Sequence, residues 1–211
     1  MTLELWLTFV AASTALLIIP GPTLMMVLSY ALTQGRRVAV ASALGVATGD
    51  LIAMTLSVIG LGALFLTSAL AFTVLKWVGA AYLIYLGTKM LLSTRTSSAA
   101  PTLLDKPSDQ TAGKVFRDLT TVTALNPKSN TFFIAFVPQF ITPDAAFAPQ
   151  AAILIATFVG IAGLNALVFA LTANSLRSRI TTPRVQTWLT RAGGATLVGM
   201  GLLTATLRRA T

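Results

Sequence analysis

Two ionisable side chains of this 211-residue chain fall deep inside apolar runs: Asp50 and Lys128. Asp50 sits about a dozen residues into its run, roughly 18 Å along a helix and so near a bilayer centre. A carboxylate at that depth is expensive and by default marks a functional site. It would hold a substrate ammonium or carry a coupling proton. It would equally form a buried pair with Lys128, the only basic residue at comparable depth. These readings are compatible, since a pair that opens on protonation couples proton to substrate. The remaining polar candidates at depth are amides and hydroxyls: Thr23, Asn126, Ser129 and Asn165. With no histidine and no cysteine in the chain, the commonest general base, thiolate nucleophiles and cysteine metal sites are absent. No P-loop, HExxH, GxSxG or dinucleotide fingerprint occurs.

Two backbone breaks flank these side chains. Pro20, Gly21 and Pro22 interrupt an apolar run whose nearest charges are Glu4 and Arg36. Proline lacks an N–H and clashes with the carbonyl four residues back, so Pro22 opens the ladder near Ile18. Gly21 permits the backbone to unwind there. Asn126, Pro127 and Lys128 form a second break. In hydrocarbon each freed backbone group costs several kcal/mol unless protein or trapped water satisfies it. A half-helix starting near Thr23, and another near Ser129, would present free N–H groups and a positive dipole end, which suits a carboxylate. Taken singly, each break also fits an ordinary proline kink; two in corresponding positions favour discontinuous helices.

The elements that must position these residues are membrane helices. The chain is 55% hydrophobic and 10% charged, against about 25% charged in soluble domains, and its mean hydropathy is +0.80. Apolar runs place spans near 5–34, 38–62, 70–92, 115–141, 149–173 and 187–207. One side of the membrane then carries Arg36, Arg37, Lys89, Arg95, Lys106, Lys114, Arg117, Arg177, Arg179, Arg184 and Arg191; the other carries Lys76, Arg208 and Arg209. That bias puts the first side inside and both termini outside. The net charge of +9 is therefore a topology signal and requires no nucleic acid. No basic residue precedes the first apolar run, so it does not read as a cleaved signal peptide.

A Ser-, Thr-, Pro- and Ala-rich linker, residues 93–113, divides the chain into a first three-helix unit, 1–92, and a second, 114–211. Three spans being odd, the halves have opposite orientations, as in transporters built from inverted repeats. Each half opens with a proline-broken span. Each follows it with a Gly-rich span bearing one strongly polar side chain, Asp50 or Asn165. The expected fold is all-α, with six transmembrane helices in two inverted repeats and with helices one and four broken. Ala41, Gly45, Gly49 and Ala53 recur every four residues and predict a close helix approach beside Asp50. Tyr82 and Tyr85 share a face that would line a cavity, pack or anchor at the interface. Trp6, Trp77 and Trp188 fall near span ends, as in an aromatic belt. Gln139 reads as a gate residue or a helix cap.

The blocks IPGPTLMMVLSYALTQGRRVAVASALGVATGD, KWVGAAYLIYLGTKML and TALNPKSNTFFIAFVPQFI resemble the LysE/RhtB family of bacterial amino-acid exporters over nearly the whole chain. The resemblance implies a secondary exporter of amino acids or derivatives such as threonine, homoserine or homoserine lactone, driven by proton exchange, in the bacterial inner membrane. It implies a core of Pro20, Gly21, Pro22, Asp50, Asn126, Pro127 and Lys128, partners limited to substrate, protons and lipid, and no cofactor. Self-association into a homo-oligomer stays open. Where the family has a glycine after the Gly35-Arg36-Arg37 turn, this chain has Val38 and Ala39. The branch exporting arginine and lysine resembles this chain less, because it has a second acid in the re-entrant span, a region that here has Phe132 and no carboxylate. One deep acid with one deep lysine suits a zwitterion better than a dication. The alternatives are an integral-membrane enzyme or accessory subunit, and an inorganic-ion exporter. Reporter fusions at either end should read as external; a cytoplasmic signal from both would overturn the outside placement, and signals on opposite sides would overturn the six-span count.

Overall fold

The computed structural model describes residues 1–19, 21–67, 69–92, 110–142 and 145–180, with short pieces at 187–188, 191–192, 194–195, 198–199 and 201–202. Pro20, residues 93–109 of the linker and most of the expected sixth span therefore lie outside the described residues. The described residues form α-helices and 3-10 turns, with no strand among them. The first half contains α1 (Leu3–Ile18), α2 (Pro22–Gln34), a 3-10 turn (Gly35–Val38), α3 (Ala39–Thr67) and α4 (Ala69–Leu92). The second contains α5 (Ala112–Ala124), α6 (Pro127–Ala135), a 3-10 turn (Val137–Phe140) and α7 (Phe147–Ile180).

Both expected breaks occur, for the reasons proline supplies. Helix α1 ends at Ile18, and α2 begins with Pro22 at its first position and Gly21 as an N-cap without a side-chain hydrogen bond. The axes of α1 and α2 differ by 57°. Helix α5 ends at Ala124, and α6 begins with Pro127 behind the N-cap Asn126, whose Oδ1 accepts from Lys128 N at 3.0 Å. The run 115–141 is thus two short helices and a turn rather than one continuous span. Helix α5 is also amphipathic, burying Val115, Leu119 and Thr123 while Lys114 and Arg117 stay exposed. Gly35, at φ +67°, terminates α2 and donates its N–H to Ala31 O, the usual glycine solution to a helix end.

Among the described residues, two stretches, Ala39–Gly60 and Phe147–Ala173, are long and apolar enough to cross a bilayer, and the bent α1–α2 pair is a third if taken as one span. Helix α3 is the axis of the assembly, packing along α5 and α7. The glycine stripe makes that approach, as its spacing predicts. A Cβ on Gly45 would lie 2.7 Å from Phe116 O, and one on Gly49 would lie 2.6 Å from Thr123 Cβ and 2.7 Å from Thr120 O. Thr120 Oγ1 donates to Gly45 O at 3.2 Å across the same contact. Within the same buried core, Phe9, Phe132, Phe133, Phe136, Phe140 and Phe158 join α1, α6, the following turn and α7.

The α3–α5 contact yields a packing prediction. Gly49→Ala forces a methyl against the α5 backbone and should destabilise the detergent-solubilised protein by about 1–3 kcal/mol, read as a lowered Tm. Gly160→Ala, at a helical glycine with nothing within 4 Å of the added Cβ, should keep or raise Tm, since alanine is the better helix former. Equal stability of both variants would contradict the packing described.

Candidate functional site

The first break leaves the C-terminal carbonyls of α1 without intrahelical partners. Helix α1 has no basic residue of its own in its last turn. The partners come instead from the second half of the chain. Lys128 Nζ, on α6, donates to Leu16 O at 3.1 Å and to Ile19 O at 3.0 Å. Asn165 Nδ2, on α7, donates to Leu17 O at 3.2 Å. Gly21 admits the lysine, because a Cβ there would stand 3.2 Å from Nζ and 3.4 Å from Cε.

The beginnings of α2 and α6 are tied together. Thr23 Oγ1 accepts from Asn126 Nδ2 at 3.1 Å and from Thr123 Oγ1 at 3.4 Å. The two half-helix N-termini consequently open on one cavity of about 30 Å³, room for about two waters. Of the candidates read from the sequence, Gly21, Thr23, Asp50, Asn126, Lys128, Ser129 and Asn165 line it. Pro22 and Pro127 do not line it; each starts the half-helix that does. Pro20 lies outside the described residues. Thr123 adds a hydroxyl, and the rest of the wall is apolar, with Leu24, Val27, Val46, Ala162 and Ala166 prominent.

Asp50 is 1% exposed, and its Oδ1 has no hydrogen-bond partner. The direct buried pair with Lys128 is not formed: the ammonium is directed to the carbonyls of Leu16 and Ile19 instead. Two orphaned carbonyls at a negative helix end hold the cation that, in one of the alternative readings, paired with Asp50. The cavity therefore sets one carboxylate against one ammonium and two positive helix ends, an arrangement complementary to a zwitterion.

Other sequence candidates fall elsewhere. Tyr82 and Tyr85 are exposed and lie with tilted rings, centroids 6.2 Å apart, away from the cavity. Gln139 Nε2 donates to Ala135 O at 2.9 Å, so it caps the end of α6. Trp77 and Trp188 are exposed, and Trp6 Nε1 donates to Thr157 Oγ1 at 3.0 Å, tying α1 to α7. Sequence reasoning missed Thr123, which belongs to the buried i, i+4 face of α5 with Val115 and Leu119 and reads there as core. It also missed the 2.8 Å hydrogen bond from Tyr30 OH to Asp118 Oδ2, which joins α2 to α5.

Comparison with known proteins places this geometry in context. The family described as LysE type translocator matches residues 14–208. A homoserine/homoserine lactone efflux protein of Salmonella typhimurium is 35% identical over the whole length of both chains. Its counterpart from Salmonella typhi is 34% identical over the same extent, and an uncharacterized membrane protein of Vibrio cholerae is 30% identical over 99% of this chain and all of its own. No solved structure matches significantly.

Capping of α1 from α7 has a measurable consequence. Asn165→Ala leaves the Leu17 carbonyl without its donor and should cost about 1–3 kcal/mol of stability, seen as a lower Tm in detergent. An undiminished Tm would show that the contact contributes nothing to holding the break.

Proposed function

The chain belongs to the LysE type translocator family, hence to membrane transporters and not enzymes, and on that premise we propose that it exports small, neutral amino acids or their lactones in exchange for protons. The observation that carries this reading is the Asp50 carboxylate, its Oδ1 without a hydrogen-bond partner, on the same cavity as two half-helix N-termini and an ammonium. Asp50 takes the ammonium of the substrate. The N–H groups near Thr23 and Ser129, with Lys128, take its carboxylate. A lactone presents a carbonyl oxygen to the same donors, which accords with the substrates named for the Salmonella relatives. Val27, Val46, Ala162 and Ala166 offer a second cation on a substrate no partner, which disfavours arginine and lysine.

Asp50 is also the residue to which we assign the coupling proton, since release of a substrate ammonium leaves a buried carboxylate that proton uptake neutralises. The cavity is too small for an amino acid as it stands, so transport requires the half-helices to part. Two inverted units, 1–92 and 114–211, joined by the 93–113 linker, provide such a motion. In support, each half has a broken helix, a 3-10 turn and a long helix bearing Asp50 or Asn165. We place this multi-pass protein in the bacterial inner membrane with both termini outside, on the charge bias of its loops. The relatives named for homoserine efflux favour this reading over inorganic-ion export.

The test is counterflow in proteoliposomes with radiolabelled amino acids. Homoserine and threonine should exchange and arginine should not; failure of every amino acid, with or without a pH gradient, sinks the exporter reading. Asp50→Asn should lower homoserine exchange roughly 10- to 100-fold, the loss of a charge-assisted contact. Exchange retained without response to a pH gradient would confine Asp50 to the proton role. Unchanged behaviour on both counts would remove it from the mechanism.

A further inference from the structure

Lys128 has a second aspect that the exporter reading does not use. In broken membrane helices, unwound carbonyls and half-helix C-terminal ends are the groups that coordinate a small coupling cation such as sodium. Here that ligand set exists at the end of α1, and a side chain fills it. Lys128 Nζ lies 3.1 Å from Leu16 O and 3.0 Å from Ile19 O, beneath a glycine whose missing Cβ makes the room. The carbonyls belong to α1 and the ammonium to α6, so the contact resembles a bound ion more than a local helix cap. Asp50, buried and with Oδ1 unpartnered, faces the same cavity and supplies the negative charge such a site needs.

We infer that the Lys128 ammonium is a resident cation in a carbonyl cage at the α1 break, a cage that takes a small monovalent cation or a short alkylammonium ion once the lysine is truncated. The native protein therefore carries its own cation and works without sodium or potassium. The cage itself stands on the geometry at the break; only this consequence for transport rests on the exporter reading.

The experiment uses full-length, detergent-purified protein with no amino acid present, so its outcome is separate from that of counterflow. Tm is titrated with sodium, potassium or ethylammonium chloride against choline chloride at constant ionic strength. The native protein should be flat in all four. Lys128→Ala should gain Tm saturably, by roughly 3–10 °C, with sodium or ethylammonium. Lys128→Met, which keeps most of the side-chain bulk without the charge, should respond less to ethylammonium than Lys128→Ala does. Adding Asp50→Asn to Lys128→Ala should weaken the response. If Lys128→Ala does not fold in choline, recovery of monodisperse protein by extraction in sodium or ethylammonium supports the cage, and failure to recover in either overturns it. A saturable sodium response of the native protein, or none from folded Lys128→Ala, overturns it as well.

Discussion

Everything at the centre of this molecule follows from a rule of low-dielectric media: a backbone group released from a helix must find another partner there. Pro22 and Gly21 release the last carbonyls of α1, and proteins do not leave three of them bare in hydrocarbon. Lys128 and Asn165 supply the donors, and both come from the other half of the chain. Satisfying α1 thus draws α6 and α7 onto the break. The same geometry brings the beginnings of α2 and α6 together across Thr23 and Asn126. The cavity is what lies between them. Several of the polar groups that line the cavity are consequently the ones that hold the break together, and they cannot be removed without loosening the fold.

That economy explains which features were legible in the sequence. Proline without an N–H and glycine without a Cβ act on their own backbone, so both breaks could be placed to within a residue or two. The Gly45–Gly49 stripe is likewise a one-dimensional signal for a close approach, and α5 fills it. Asp50 and Asn165 stood out because carboxylates and carboxamides are rare among apolar neighbours, and both reach the cavity. Partner choice was not legible. Lys128 has a flexible stem, and whether its ammonium meets Asp50 or the carbonyls of Leu16 and Ile19 depends on where α1 ends in space. Thr123 was hidden for a related reason, since its position on a regular buried face is indistinguishable from packing until Thr23 is seen beside it. Tyr30 and Asp118 are separated by 88 residues, and no local pattern joins them.

The two breaks are satisfied differently, and the difference has mechanical meaning. The second break closes on itself: Asn126 Oδ1 caps Lys128 N, and Asn130 Nδ2 donates to Ala124 O at 3.1 Å. Its capping bonds stay within the α5–α6 segment and survive any movement of that segment relative to the rest. The first break depends on donors from α6 and α7. Separating the halves would therefore leave the α5–α6 junction intact and uncover the carbonyls of Leu16, Leu17 and Ile19. A bilayer penalises that exposure by several kcal/mol per group, which favours the closed arrangement. Opening becomes affordable when water or substrate enters as the halves part, because either can take over the polar groups being released. On the proposed exporter reading, a substrate ammonium would face Asp50 while its carboxylate would draw Lys128 away from the α1 carbonyls. On that reading, opening and loading would be linked through one lysine, and the orphaned carbonyls of α1 would set the energetic threshold that a bound molecule has to meet.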